Sequence, residues 1–174
     1  MPPQTRPPII LDIEASGFGP DGYPIEVGVA LDSGAKHCWL IRPLPGWTHW
    51  DQDAQAAHRV SRDLLHAHGK PVAEVAGRLN ELLRARTVYS DGWVVDQTWL
   101  NQLFHAAALP CEFSLSALEL ILTEPQMALW HATKDALMHE LGGQRHRASF
   151  DAFLVQQTWE RTWEATRAGA PSAS

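Results

Sequence analysis

Residues 9–17 read IILDIEASG, and this stretch decides which fold the rest of the chain can adopt. Its Ile and Leu residues predict a β-strand that ends at the small residues ASG. Because side chains alternate across a strand, Asp12 and Glu14 share one face, while Leu11 and Ile13 point into the core. Two acids on an apolar strand are costly to bury unless a cation pairs with them, and oxygen ligands suit Mg²⁺ or Mn²⁺. A solvated strand face at a sheet edge would show the same pattern.

The segments that follow predict a mixed α/β domain. Two further strands, near residues 25–31 and 37–42, follow short Gly-containing turns, so the first three strands are expected to form an antiparallel meander. A short buried strand is predicted at 87–90, and another after Pro110. Apolar spacing predicts a helix from about residue 52 and longer helices near 72–84, 95–107, 125–140 and 147–165. The predicted fold class is therefore α/β, with helices packed on a mixed sheet.

Length and composition fit one folded domain. The 174 residues are 45% hydrophobic and 20% charged, as is ordinary for a folded protein of this size. We expect flexible ends at residues 1–8 and 167–174 around a single domain at 9–166. No apolar run reaches the length of a membrane span, and the start has no signal-peptide core. The prediction is a cytoplasmic protein without membrane association.

The formal net charge of −6 bears on whether nucleic acid is a partner. Phosphate contacts favour a basic surface, so an acidic chain argues against nucleic acid at first sight. However, two divalent cations bound to clustered carboxylates would return about four positive charges to one site. The acidic composition therefore counts only slightly against a nucleic-acid partner.

Two later segments carry further candidate site residues. Asp96 opens the helix that follows the strand at 87–90, and such junctions are where sites on open α/β sheets collect. A helix-dipole contact would equally explain an acid there. His146 and Asp151 are five residues apart, about 140° around a helix axis, so they cannot share a face of one helix. If His146 ends the preceding loop and Asp151 lies in the first helical turns, both can face one site.

Three segments together resemble the exonuclease motifs of the DEDDh family of 3′→5′ exonucleases, within the ribonuclease H-like superfamily. LDIEASGF at 11–18, with IEVG at 25–28, is similar to the first motif. VDQTWL at 95–100 is similar to the second and HRASFDA at 146–152 to the third. Their order and wide spacing match the family, and the likeness spans residues 9–155.

The resemblance implies a ribonuclease H-like mixed sheet of about five strands flanked by α-helices, and a two-metal hydrolysis. Four carboxylates would hold two divalent ions, Mg²⁺ or Mn²⁺: Asp12, Glu14, Asp96 and Asp151. His146 would be the general base that takes a proton from the attacking water. The substrate would be DNA or RNA with a free 3′ end, and the product a nucleoside 5′-monophosphate.

Positions in and near the motifs are expected to contact the substrate: Ser16, Gly17, Phe18, Val60, Trp93 and Arg147. Phe18 would stack on terminal bases, the alternative being a core residue that caps the sheet. Arg147 would touch phosphate, the alternative being a solvated helix start. The chain departs from the family at Asp91-Gly92, where His-Asn is frequent, and at Arg59, where Gly is common. Both departures affect how a substrate end is held, so they leave the substrate open between DNA and RNA.

Two other functions remain alternatives. A catalytically inactive binding or scaffolding module could use the same fold, although such a module would be expected to lose one of the five catalytic residues. An endonuclease of the ribonuclease H type shares the sheet and the metals, but a His five residues before the last Asp is not its pattern. Dimers occur in the resembled family, so a homodimer is an alternative to a monomer.

Overall fold

The computed structural model describes residues 6–142 and 146–168. Its five strands are β1 (Ile10–Ala15), β2 (Pro24–Ala30), β3 (Lys36–Leu40), β4 (Thr87–Ser90) and β5 (Ser114–Ala117). Its helices are α1 (Gln52–His58), α2 (Arg62–His68), α3 (Val72–Leu83), α4 (Trp93–Ala107), α5 (Glu124–Leu141) and α6 (Ala148–Ala168), with one 3₁₀ turn at Leu118–Ile121. The predicted mixed sheet of about five strands, flanked by helices, is confirmed.

The strands form one sheet in the order β3-β2-β1-β4-β5. As predicted, β1, β2 and β3 are an antiparallel meander, whereas β4 is parallel to β1 and β5 is parallel to β4. The strand that carries the first motif is therefore central. Since β1 and β4 run in the same direction, their carboxyl ends meet at one edge of the sheet, where the segment that leads into α4 also begins.

Helices cover both faces of the sheet. Leu11 and Ile13 of β1 pack in one core with α3 and α4. Ile10 points the other way and packs with Val155 and Trp159 of α6. Because side chains alternate along β1, the carboxylates of the first motif lie on the face that α6 covers.

The first turn of α6 lies directly on the backbone of β2. A Cβ built at Gly28 would lie 2.2 Å from the carbonyl carbon of Ala148 and 2.3 Å from the nitrogen of Ser149. Gly28 is also the residue opposite Asp12 in the β1–β2 ladder. This close approach therefore places the beginning of α6 beside the carboxylates of β1.

The predicted flexible ends fall largely outside the described residues, which omit 1–5 and 169–174. Pro8 is buried, and its carbonyl accepts a hydrogen bond from Gln156 Nε2 at 2.8 Å. Helix α6 ends at Ala168. The domain bounds of 9 and 166 stay predictions. None of the helices in the described ranges is both long and apolar enough to cross a membrane.

The contact at Gly28 predicts a stability effect. Gly28→Ala should lower the free energy of unfolding by about 1–3 kcal/mol, because the added methyl group meets backbone that cannot rotate away. Gly77→Ala in α3 is the matched control. A Cβ there meets no described atom within 4 Å, so this change should stabilise the protein by about 0.5–1 kcal/mol. Urea unfolding measures both. Equal stability of Gly28→Ala and the unmodified chain would contradict the close packing of α6 on β2.

Candidate active site

Asp12 and Glu14 form the first part of the site, at the carboxyl end of β1. Asp12 Oδ2 is buried and has no hydrogen-bond partner among the described residues. A buried carboxylate oxygen without a donor is costly, because it has left water and gained nothing in exchange. The strand thus presents an acceptor that a further positively charged group would satisfy.

Asp96 is held beside β1 by two hydrogen bonds. The backbone nitrogen of Ile13 donates to Asp96 Oδ1 at 3.2 Å, and the Ser90 hydroxyl donates to Asp96 Oδ2 in a short hydrogen bond. Ser90 Oγ also accepts from the nitrogen of Gly92 at 2.9 Å, which shapes the turn between β4 and α4. Only 4% of Asp96 is exposed, so its carboxylate has a fixed direction.

His146 and Asp151 complete the site from the start of α6. His146 precedes the helix with a left-handed backbone (φ 61°), and its nitrogen donates to Asp151 Oδ2 at 2.8 Å. One ligand atom from each of Glu14, His146 and Asp151 lies within 4.8 Å of the others. The loop position of His146 allows this convergence, since the spacing of five would separate the two residues on one helix.

Burial, with nearby negative charge, raises the pKa of three of the carboxyl groups. Burial, followed by the charges of Asp96 and then Glu14, raises the pKa of Asp12 well above its ordinary value. Burial, Asp151 and other acids raise the pKa of Glu14 to about 8, although the Arg147 guanidinium acts in the opposite direction. Burial raises the pKa of Asp96 to about 7, against its two hydrogen bonds. The site therefore holds more negative charge than its side chains compensate.

A divalent metal ion fits this site on two observations. The donors are carboxylate oxygens with one imidazole, which suit Mg²⁺ or Mn²⁺. The buried Asp12 Oδ2 lacks a donor among the described residues, and a cation would satisfy it. A cation would also offset the burial and the repulsion that raise these pKa values.

Two of the expected substrate contacts are exposed near the site. Phe18 follows the first motif and is 81% exposed, which excludes the alternative of a core residue. Trp93, the first residue of α4, is 39% exposed, and its Nε1 donates to the carbonyl of Leu115 at 3.2 Å. Both aromatic side chains are therefore accessible from solvent.

Val60 requires a correction. It is fully buried and packs in a core cluster with Tyr23, Ile25 and Leu65, so it does not line a groove. An apolar side chain between two short helices could lie in the core or line a groove. Here the packing of α1 and α2 onto the sheet buries it.

Ser16 and Gly17 shape the loop that carries Phe18. Ser16 is buried, and its Oγ accepts a hydrogen bond from the nitrogen of Tyr23 at 3.1 Å. Gly17 has a φ of 152°, and a Cβ there would lie 2.7 Å from both His49 Cε1 and Asp51 Cβ. A larger residue at 17 would therefore displace the loop.

Sequence reasoning assigned no role to two residues that shape the site. Ser90 orients Asp96, and nothing in the sequence singles out a serine at a strand end. Glu26 is a fully buried acid on β2 and forms an ion pair with Arg147. The sequence could have indicated this role for Glu26, because an acid inside the apolar strand PIEVGVA needs a partner.

Comparison with known proteins defines the fold. No family model matches the sequence, and no curated protein matches it. E. coli exonuclease I in complex with a dT13 oligonucleotide superposes with a TM-score of 0.66 and 15% identity, over 91% of this chain and 41% of that one. The fold is that of exonuclease I. The resemblance stated from the motifs is confirmed at this level.

Two other solved structures agree with this result. A product-bound exonuclease I gives a TM-score of 0.63 at 13% identity, over 95% of this chain and 46% of that one. Exonuclease I of Methylocaldum szegediense, described as moderately thermophilic, gives a TM-score of 0.58 at 14% identity. The match covers 92% of this chain and 42% of that one. The chain thus spans less than half the length of these exonuclease I chains. A shared fold does not fix function, which has to be argued from the site.

The raised pKa of Glu14 predicts how the stability of the metal-free protein depends on pH. Between the ordinary pKa of 4.5 and the folded value of about 8, the folded state binds more protons than the unfolded state. The free energy of unfolding should therefore fall as pH rises through this window. Glu14→Gln should remove this contribution and stabilise the metal-free protein at about pH 8 by on the order of 2 kcal/mol.

Thermal unfolding in chelator at a series of pH values provides the measurement. Glu81→Gln is the control, since the side chain of Glu81 is 70% exposed in α3 and should leave the pH profile unchanged. A Glu14→Gln profile that overlays that of the unmodified protein would show that the crowding of charge is too weak to matter.

Proposed function

We propose that the protein is a metal-dependent 3′→5′ exonuclease. It hydrolyses phosphodiester bonds at the 3′ end of single-stranded or short DNA or RNA and releases nucleoside 5′-monophosphates. The observation that carries this proposal is the convergence of β1, α4 and the start of α6 on one acidic site with an imidazole among its ligand atoms. Structures of E. coli exonuclease I with single-stranded oligonucleotides, which share the fold, support a single-stranded substrate.

Four carboxylates are proposed to hold two Mg²⁺ or Mn²⁺ ions: Asp12, Glu14, Asp96 and Asp151. Such ions, when bound, stabilise charge on phosphoryl oxygens and lower the pKa of a bound water. The protein contributes the fixed directions of its carboxylates. Asp96 is oriented by Ser90 and the Ile13 backbone, and Asp151 accepts a hydrogen bond from the backbone of His146.

His146 is proposed to act as the general base. It is exposed, and a ring nitrogen lies within 4.8 Å of carboxylate oxygens of Glu14 and Asp151. The imidazole takes a proton from the attacking water, whose oxygen then bonds to phosphorus. The bond from phosphorus to the 3′ oxygen of the preceding nucleotide breaks, and that oxygen takes a proton from solvent, which leaves a free 3′ hydroxyl and a 5′-monophosphate. The left-handed backbone at His146 turns this side chain toward the acids.

The exposed rings of Phe18 and Trp93 are proposed to hold the substrate end. Base stacking on aromatic side chains tolerates any sequence and contributes about 1–3 kcal/mol per base. It also adds no positive charge, which suits a chain with a net charge of −6. The proposal therefore places recognition in stacking and in the metal site, and leaves DNA and RNA both as substrates.

The main prediction concerns the metal ligands. The protein should shorten 5′-labelled single-stranded DNA or RNA stepwise from the 3′ end with Mg²⁺ or Mn²⁺, and chelator should stop the reaction. Asp12→Asn should reduce kcat/KM on the order of 100-fold or more, because metal binding supplies several kcal/mol to the transition state. Asp135→Asn, which changes an exposed acid on α5, should leave the rate unchanged.

The same assay separates the alternatives. A blocked 3′ end should stop this protein and would not stop an endonuclease. Binding of an oligonucleotide without any shortening, with either metal, would overturn the proposal in favour of an inactive binding module.

A second prediction concerns Phe18. Phe18→Ala should raise KM for an oligonucleotide by about 5- to 100-fold, in line with the loss of one stacked base, and should change kcat less. Leu120→Ala is the matched control, since Leu120 is also a large exposed apolar residue, at 77%. Steady-state kinetics on one oligonucleotide would measure both variants. An unchanged KM for Phe18→Ala would exclude Phe18 from the substrate contact.

A further inference from the structure

The ion pair between Arg147 and Glu26 joins α6 to the sheet next to the candidate active site. Arg147 Nη2 lies 2.8 Å from Glu26 Oε1, and Arg147 Nε lies 3.0 Å from Glu26 Oε2, so both carboxylate oxygens are engaged. Glu26 is fully buried, whereas the Arg147 side chain is 36% exposed. Bidentate pairs of this kind fix direction as well as charge.

Glu26 receives two further hydrogen bonds. Cys38 Sγ donates to Oε1 at 3.0 Å, and the backbone nitrogen of Ala148 donates to Oε2 at 3.4 Å. The Glu26 carboxylate therefore accepts hydrogen bonds from Cys38 on β3, from Arg147 and from the first residue of α6. Its position is also set by the sheet, since Glu26 lies directly opposite Glu14 in the β1–β2 ladder.

Arg147 occupies the position at which α6 begins. Its carbonyl accepts hydrogen bonds from the nitrogens of Phe150 and Asp151, both at 2.9 Å. The preceding residue is His146, whose nitrogen is bonded to the Asp151 carboxylate. Anchoring Arg147 therefore anchors the residue on its amino side and the first turn on its carboxyl side.

We infer that Arg147 is a positioning residue: bound to Glu26, it holds His146 and Asp151 in place against Asp12 and Glu14. This inference rests on the proposed function and replaces the phosphate contact expected of Arg147. Two of its guanidinium nitrogens, Nε and Nη2, are already bound to Glu26. Moving it to a phosphate would leave a buried carboxylate without its cation, which typically costs about 3–5 kcal/mol.

The test is a double-mutant cycle on the pair. Arg147→Lys keeps the charge and loses the fork, and Glu26→Gln removes the charge of the partner, so neither leaves a buried acid without a cation. Each variant, and the two changes combined, should lower kcat by about 10- to 100-fold and leave KM within about twofold. The kcat of the combined variant should be no lower than that of the less active single variant, since both changes break the same ion pair.

An exposed ion pair between α6 and α5 provides the control cycle. Arg161 Nη1 lies 2.8 Å from both carboxylate oxygens of Glu140, but the two side chains are 48% and 55% exposed. Arg161→Lys and Glu140→Gln should leave kcat and KM unchanged, because exposed pairs contribute little and this one lies away from the start of α6.

Mn²⁺ binding by calorimetry, with no nucleic acid present, separates this inference from the proposed function. Arg147→Lys and Glu26→Gln should weaken Mn²⁺ binding about 10-fold if the pair positions the ligands, even if no oligonucleotide is ever degraded. Thermal unfolding would show that each variant is folded.

The opposite role has a distinct signature. If Arg147 binds phosphate, Arg147→Lys raises KM and Glu26→Gln has no effect on kcat, because freeing the arginine does not harm a phosphate contact. That pattern, or unchanged Mn²⁺ affinity in folded variants of both residues, overturns the positioning role.

Discussion

Repulsion among carboxylates at the carboxyl end of β1 is the constraint on which the rest of the site depends. Asp12 and Glu14 share a strand face, and the start of α6 adds Asp151 while α4 adds Asp96. Burial raises the pKa of Asp12, Glu14 and Asp96, and neighbouring acids add to the rise at Asp12 and Glu14. The protein tolerates this arrangement because a dense hydrophobic core fixes the elements that carry the acids. The same crowding that costs stability in the metal-free protein would favour a bound divalent cation.

Two residues of β2, Gly28 and Glu26, fix the position of α6 against the sheet. Gly28 removes the side chain that would hold α6 away from the sheet, and Glu26 binds Arg147 at the first turn of that helix. Both residues face the same side as the acids of β1, because they lie opposite Asp12 and Glu14 in the antiparallel ladder. One strand of the meander thus carries two of the candidate ligands, and the neighbouring strand supports the helix that carries Asp151.

The likeness to exonuclease I at 13–15% identity shows how little sequence such a fold requires. The two chains superpose with TM-scores of 0.63 and 0.66 although most of their side chains differ. In this chain, acids lie at the ends of elements that meet at one sheet edge. That edge is where parallel strands bring separate segments together, so chemistry there survives wide variation in the core.

The strand-face alternation of Asp12 and Glu14, the meander and the main helices followed from local pattern, because period and turn chemistry act over a few residues. The sequence alone also determined that His146 had to leave the helix if it was to share a site with Asp151. Tertiary structure alone decided that Val60 is buried, that Phe18 is exposed and that Arg147 turns toward Glu26. These three outcomes depend on which surfaces are covered by elements distant in sequence, and no local period carries that information.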